Sequence, residues 1–273
     1  MAIIRNALLA IALLPGCSSA RRSAEPQPLP ARPSLTSEAS PALPLPRAAA
    51  VLELFTSEGC SSCPAADELL AELTTEAERS GRRVYTLELH VDYWNNLGWV
   101  DPFSRAIHSQ RQSGYSRALG SSGLYTPQLV VNGREELVGS RAALARSAID
   151  RALATPSSVG VAVNAARGSD ASAAIQVAYR LNSTKPVILN LALAEDSSET
   201  HVDDGENRGR ILQHRHVVRA FWSGPVAAHA SGTWRAPWPR TARAENALVV
   251  AYAADPATLA VIGADARTLG AHR

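Results

Sequence analysis

Two cysteines three residues apart, Cys60 and Cys63, stand where a strand pattern gives way to a helix pattern. Before them, Val51-Leu52-Glu53-Leu54-Phe55 is a short, mostly apolar run, as expected of a central strand buried on both faces. After them, Ala65 to Ser80 carries Ala66, Leu69, Leu70, Leu73 and Ala77 on one stripe of a helix. Val84 to Val91 follows as a second strand. Strand, helix, strand implies a right-handed parallel crossover, which commits this part of the chain to a layered α/β architecture. The continuation agrees. Asp101 to Leu119 reads as a helix, with Asp101 as N-cap, Pro102 in the first position and Phe103, Ile107, Tyr115 and Leu119 as its apolar face. Thr126 to Val131 is a third strand, and Asn132-Gly133 is a strong hairpin signal. Glu135 to Val138 is the returning strand, and Ser140 caps a last helix from Arg141 to Ala154.

The position of the cysteines gives them chemistry. A helix N-terminus carries roughly half a positive charge, and that field stabilises a thiolate, the nucleophile of disulfide exchange. Cys60, nearer the loop, is expected to be the exposed attacker and Cys63 the resolving thiol. Pro64 costs little so early in a helix, where N–H groups lack intrahelical partners. A structural bridge, a zinc half-site and two idle thiols are the alternatives. Zinc needs two further Cys or His ligands. There is no second C-x-x-C, and the third cysteine, Cys17, belongs to a different signal.

That signal opens the chain. Arg5 supplies a positive n-region, Ala7–Leu14 a short apolar stretch, and Leu14-Pro15-Gly16-Cys17 resembles a bacterial lipobox, whose cysteine is lipidated. Residues 1–17 are thus expected to be a lipoprotein-type signal peptide. Ser18 after the cysteine implies sorting to the periplasmic face of the outer membrane. Cleavage near Ala20 would instead leave a soluble periplasmic or secreted protein. Both outcomes place the cysteines where disulfides persist. Residues 18–47, rich in Pro, Ala, Ser and Arg, lack any period and read as a disordered tether. Extended as polyproline II, it would reach up to about 90 Å. No apolar run is long enough for a spanning helix, so any membrane attachment would be through the lipid alone. A net charge of +2 gives no reason to expect nucleic acid as a partner.

Residues 48–155 resemble the thioredoxin superfamily, in which a C-x-x-C stands at a strand–helix junction and a cis-proline begins the strand before the terminal hairpin. Thr126-Pro127 matches that proline. More narrowly, three segments are similar to one family of secreted bacterial proteins, the domain of unknown function numbered twelve twenty-three. They are Leu54 to Asp67, His90 to Trp99 and Tyr125-Thr-Pro-Gln. The resemblance spans about residues 50–270. It implies an α/β thioredoxin-like domain, a four-stranded mixed sheet with flanking helices, and places Pro127 beside the disulfide, against a substrate backbone. It also makes Glu53 a candidate for the buried carboxylate that takes the resolving thiol's proton, although a polar residue at a solvated strand edge reads equally well.

His90 and Asp92 end the second strand on one side by alternation, where sites form in open α/β sheets. With Thr126 and Trp94 they are candidates for a substrate groove, while Trp94, Trp99 and Tyr93 also suit a lid over the core. From residue 156 to 273 short β-rich runs alternate with turns, which predicts a small antiparallel β-sandwich domain. Its runs are 159–165, 173–181, 187–194, 214–222, 248–253 and 261–263, with a long polar loop over Glu195–Arg210. His214 and His216 alternate onto one face, with His201 and His229 elsewhere. Such a pair can begin a copper or zinc site, but solvated strand residues are the commoner case, and no metal ligand is assigned.

The leading expectation is an exported thiol–disulfide oxidoreductase. It would act through Cys60 and Cys63 on protein thiols of the cell envelope, with a redox partner and without a dissociable cofactor. A thioredoxin-like copper-handling protein using the cysteines and a histidine, and a non-enzymatic envelope-binding module with a structural disulfide, are the alternatives.

Overall fold

The apolar run Ala50–Thr56 forms β1, and all of its residues are buried. The computed structural model describes residues 44–168, 174–239, 242 and 246–269. Helix α1 (Pro64–Ser80) starts on its proline and ends at Gly81, whose φ of +64° suits a residue without Cβ. β2 (Val84–His90) lies parallel to β1, in register from Ala50↔Val84 to Thr56↔His90. After α2 (Ala106–Leu119), β3 (Gln128–Val131) runs antiparallel to β1, and β4 (Glu135–Val138) antiparallel to β3. Helix α3 (Ala142–Ala154) returns beside α1. Leu52, Leu54, Leu129 and Val131 meet Leu70, Leu73, Ala148 and Ile149 of these two helices in one core. Tyr115 of α2 packs on the opposite face, against Phe55, Leu89 and Val130.

Helix α2 departs from its expected limits and face. Asp101 does not cap it. The Asp101 carboxylate accepts the backbone N–H groups of Glu58 and Phe103 instead, which holds residues 101–105 in a turn. The buried side chains are His108, Gln112 and Tyr115, while Ile107 is exposed. Gln112 is drawn inward by two acceptors, Tyr125 O and Gln128 Oε1.

The second part consists of β5 (Gly160–Arg167), β6 (Ala174–Asn182), β7 (Val187–His201), β8 (Ile211–Val226), β9 (Ser231–Pro237), β10 (Ala247–Ala254) and β11 (Val261–Thr268). These strands share a two-layer core, but one of its sheets is continuous with that of the first part, so the boundary expected at residue 155 does not separate two sheets. β8 pairs parallel with β2 at Glu88↔Val217 and extends the sheet to eight strands, in the order β11-β10-β7-β8-β2-β1-β3-β4. Only β5, β6 and β9 form a separate antiparallel sheet. It packs Val161, Ile175 and Val177 onto Leu189, Leu191 and Val249, giving a sandwich over the outer half of the large sheet. The physical reason lies in β2. Left as an edge it would present a row of unpaired backbone groups. Leu87 and Leu89 also need the cover that Ala192, Ala194, Val218 and Val250 provide.

The polar loop expected at Glu195–Arg210 shortens to residues 202–210, because β7 and β8 continue as a long antiparallel ladder to His201↔Ile211. β9 escaped the sequence reading, since Ser-Gly-Thr-Trp-Arg-Ala-Pro has turn residues at both ends. The expected signal peptide with Cys17, and the tether up to residue 43, lie outside the described residues. Residues 44–47, read as the tether's end, instead lie against the start of β5 and the segment before it: a Cβ on Gly160 would stand 1.8 Å from the Pro44 carbonyl oxygen, and the Arg47 carbonyl accepts the Ser157 hydroxyl at 2.8 Å. No described helix is long and apolar enough to cross a membrane.

The β3–β4 turn shows how tightly the parts join. Asn132 Oδ1 accepts Val51 N–H, and the Asn132 carbonyl accepts Val261 N–H. Gly133 has φ +59°, and a Cβ there would stand 2.3 Å from the Leu259 carbonyl oxygen. Gly133→Ala is expected to cost about 2–4 kcal/mol from left-handed backbone and overpacking together. Urea denaturation with an unchanged m-value is the check, and a loss below about 0.5 kcal/mol, the size of an ordinary surface substitution, would count against this docking.

Candidate functional site

Cys60 and Cys63 are disulfide-bonded, with Cα atoms 5.4 Å apart. A tight turn makes this possible: Cys60 N–H donates to Ser57 O and Cys63 N–H to Cys60 O. The Cys63 carbonyl then accepts Ala66 and Asp67 N–H, opening α1. Cys60 Sγ lies 4.0 Å from the Thr126 carbonyl oxygen, and the Thr126–Pro127 bond is cis, as the thioredoxin resemblance implies. Thr126 and Pro127 are therefore brought to the disulfide.

Cys60 is not the exposed thiol that its loop position suggested. It is 1% exposed and Cys63 fully buried, while Ser61 and Ser62 face solvent. Two elements cover the bridge. Trp94 closes over Gly59 and donates from Nε1 to Thr126 Oγ1 at 2.8 Å. The 202–210 loop closes from the other part of the chain. Asn207 Nδ2 donates to the carbonyls of Glu58 (2.8 Å) and Cys60 (2.9 Å), and Glu206 accepts Ser61 N–H at 2.9 Å. Trp94 thus sits at the bridge.

Two other candidates are placed elsewhere. Glu53 points to the α2 side of the sheet, away from α1. Its carboxylate accepts Arg111 Nη2 at 2.9 Å and Tyr252 OH at 2.7 Å, with Arg111 Nε and Tyr115 OH as further donors. No described contact joins it to either cysteine, so the proton-shuttle reading of Glu53 finds no geometric support. Burial works against the Arg111 charge, but the Glu53 carboxylate holds its pKa well above the ordinary value. Asp92 lies beyond the end of β2 and accepts the Ser109 hydroxyl of α2. It does not join His90.

His90 belongs to a buried polar cluster beneath the Cys60 turn. Glu58, Glu88 and His90 are fully buried, and Asp101 and His214 are 2% exposed. His90 Nδ1 donates to Asp101 Oδ2 at 2.7 Å, and His214 Nε2 donates to Glu58 Oε1 at 3.2 Å. Glu58 Oε2 also accepts Trp99 Nε1 at 2.8 Å. Glu88 Oε2 stands 3.1 Å from His214 Nδ1 and 3.6 Å from His90 Nε2. Burial opposes charge on His90, yet the adjacent Asp101 carboxylate carries its pKa up to about 9. Asp67, in the first turn of α1, accepts the Thr56 hydroxyl at 2.7 Å and is pushed up to about 7 by burial. His214 and His216 do share the β2-facing side, with His216 Nδ1 2.7 Å from Thr86 Oγ1, whereas His201 is exposed beside Asp203. Glu58, Glu88 and Asp67 were not singled out in the sequence, and Asp101 only as a helix cap. Glu88 had a signal: Thr86, Glu88 and His90 alternate with apolar residues along β2 and mark a polar stripe. Glu58 and Asp101 lie in irregular segments with no period to read.

Known proteins place the chain without naming an activity. The model of a family described as "Protein of unknown function (DUF1223)" matches residues 51–253. The crystal structure of protein AGR_C_4864 from Agrobacterium tumefaciens is 28% identical, with a TM-score of 0.59 over 83% of this chain and 96% of that one. HBP35 of Porphyromonas gingivalis shares the fold at 17% identity, with a TM-score of 0.60 over 83% of this chain and 77% of that one. A domain of the outer membrane lipoprotein Omp28 from Porphyromonas gingivalis aligns at 18% identity over 41% of this chain and 88% of that one, but a TM-score of 0.30 carries no argument. Among curated proteins there is no match. The matched residues take in the C-x-x-C, Thr126-Pro127 and the buried cluster, and the chain belongs to the family of proteins of unknown function DUF1223.

Proposed function

We propose that this protein is an exported, lipid-anchored thiol–disulfide oxidoreductase of thioredoxin-like build, acting on protein thiols of the cell envelope. The observation that carries the reading is the bonded Cys60–Cys63 pair at the first turn of α1, with Cys60 Sγ 4.0 Å from the carbonyl that precedes Pro127. The strand order β2-β1-β3-β4, with α1 and α3 on one face and α2 on the other, supports the thioredoxin-like part. The lipid anchor and the envelope location rest on the Cys17 signal.

Chemically, a substrate thiolate attacks Cys60 Sγ, the Cys60–Cys63 bond breaks, and its electron pair leaves on Cys63 Sγ. A second substrate thiolate then attacks the mixed disulfide and releases Cys60. The substrate loses two electrons and the C-x-x-C gains them; the reverse sequence reduces a substrate. The dipole of α1 stabilises the Cys63 leaving group. Trp94 and the 202–210 loop must swing aside for a protein substrate to reach Cys60, and the exposed Ser61-Ser62 edge marks the approach.

Equilibration with glutathione tests the reading. An exchanging pair is expected between about −120 and −270 mV, and a value below about −300 mV would mark a structural bridge. A Cys63→Ser variant is expected to trap a mixed disulfide when its Cys60 thiolate attacks a substrate that carries a scrambled disulfide, with one substrate sulfur leaving as thiolate, and Cys60→Ser to trap none. Failure of both variants to trap would reject the assignment.

A further inference from the structure

Three buried atoms in the cluster beneath the Cys60 turn lack a hydrogen-bond partner: Glu88 Oε2, His90 Nε2 and His214 Nδ1. All three lie within 4.8 Å of one another. The tautomers follow from what the other ring nitrogens do. Asp101 already accepts two backbone N–H groups, and Glu58 already accepts the Trp99 indole N–H. Both carboxylates are therefore acceptors, and the proton on each imidazole sits on the nitrogen facing them, Nδ1 of His90 and Nε2 of His214. That leaves His90 Nε2 and His214 Nδ1 both next to the same carboxylate oxygen, Glu88 Oε2, and each is a lone-pair ligand once its ring carries a single proton. Buried beside the Glu88 carboxylate, the two nitrogens call for positive charge, supplied either by a second proton on each ring or by one shared cation that replaces those protons.

We propose that Glu88, His90 and His214 bind one divalent transition-metal ion, with zinc the best match to the ligand set. Separations of 3.1 and 3.6 Å between Glu88 Oε2 and the two nitrogens are what metal bonds of ~2.0–2.1 Å subtend at angles of about 100–120°. His214 Nδ1, only 3.1 Å from Glu88 Oε2, makes no hydrogen bond to it, as expected if an ion is to be held between the two atoms. Asp101 and Glu58 complete the pattern of metal-binding histidines, whose second nitrogen donates to a carboxylate that fixes the ring. They are positioning residues. Two histidines and one carboxylate leave a coordination position free. The cluster is shut off from solvent, so the ion is taken up as the protein folds. Glu58 ties the site to the turn that carries Cys60, but neither cysteine is a ligand, and the site does not depend on the redox reading.

The test uses the full folded chain with its disulfide intact. The protein is unfolded in chelator, refolded without metal and given zinc. One zinc per chain by elemental analysis and a raised Tm are expected. Cobalt is expected to give visible d–d bands without thiolate charge transfer. Zinc affinity should fall at least tenfold in Glu88→Gln and in His214→Gln, and by 10–100-fold in Glu58→Gln. It should be unchanged in the Cys60→Ser/Cys63→Ser double variant. X-ray absorption on zinc-loaded wild type covers the case in which the variants misfold, with a nitrogen and oxygen shell at ~2.0–2.1 Å and imidazole scattering expected. A sulfur shell at ~2.3 Å would overturn the proposal. So would folded wild type that retains no zinc, folded Glu88→Gln and His214→Gln that bind as wild type, or loss of binding in the cysteine double variant.

Discussion

A fragment cut to residues 48–155 is expected not to fold. It holds the C-x-x-C, three helices and four strands, yet one face of its sheet is completed from outside. Val51, Phe55, Leu87 and Leu89 pack in one core with Ala192, Ala194, Val218, Val250 and Tyr252. Removing the second part returns much of that face to water, at up to ~1.5–3 kcal/mol for each large side chain fully uncovered. Several such losses reach the whole stability of a small domain, about 5–15 kcal/mol. β2 would also become an open edge, and Arg111 would lose Tyr252 and Asn190 from its polar surroundings. The fragment is expected to show a collapsed amide NMR spectrum and no cooperative melt, whereas residues 44–273 melt in one transition. A dispersed spectrum with a sharp melt from 48–155 would show that the β8 attachment is incidental.

The sequence carried part of the warning against that boundary. Leu248 to Ala253 is a continuous apolar run, and every residue of β10 is buried. A strand in a free-standing two-layer sandwich alternates, because one of its faces meets water; a continuous run means cover on both. What periodicity cannot state is the identity of the neighbour, so the pairing of β8 with β2 had no local signal. The disulfide, α1, the β3–β4 hairpin and α3 were legible because each rests on residues close together in the chain. The buried cluster was half legible. Glu88 and His90 sit on a period-2 stripe, but His214 arrives from 124 residues further along and Glu58 and Asp101 from irregular turns. The burial of Cys60 was hidden for the same reason, since Asn207 reaches it across 147 residues of sequence.

Glu53→Ala is expected to destabilise the protein by about 3–5 kcal/mol, because it leaves the Arg111 guanidinium buried without its counter-charge. The side chain of Glu53 is 1% exposed and that of Arg111 11%, so water cannot take over the lost contacts. Tyr115 and Tyr252 would each lose an acceptor for a buried hydroxyl, which adds to the cost. Arg111→Met combined with Glu53→Leu is expected to recover much of the loss, since an apolar pair leaves no stranded charge, and the coupling should show as marked non-additivity in a double-mutant cycle. The same variants decide what Glu53 does for the cysteines. A proton carrier would leave stability nearly intact and slow thiol exchange. A structural anchor lowers the unfolding midpoint in urea, while the rate of exchange per folded molecule stays within about twofold, an activation difference near 0.4 kcal/mol. A Glu53→Gln protein that unfolds at the wild-type urea concentration but exchanges thiols a hundredfold more slowly would restore Glu53 to the chemistry and refute the anchor.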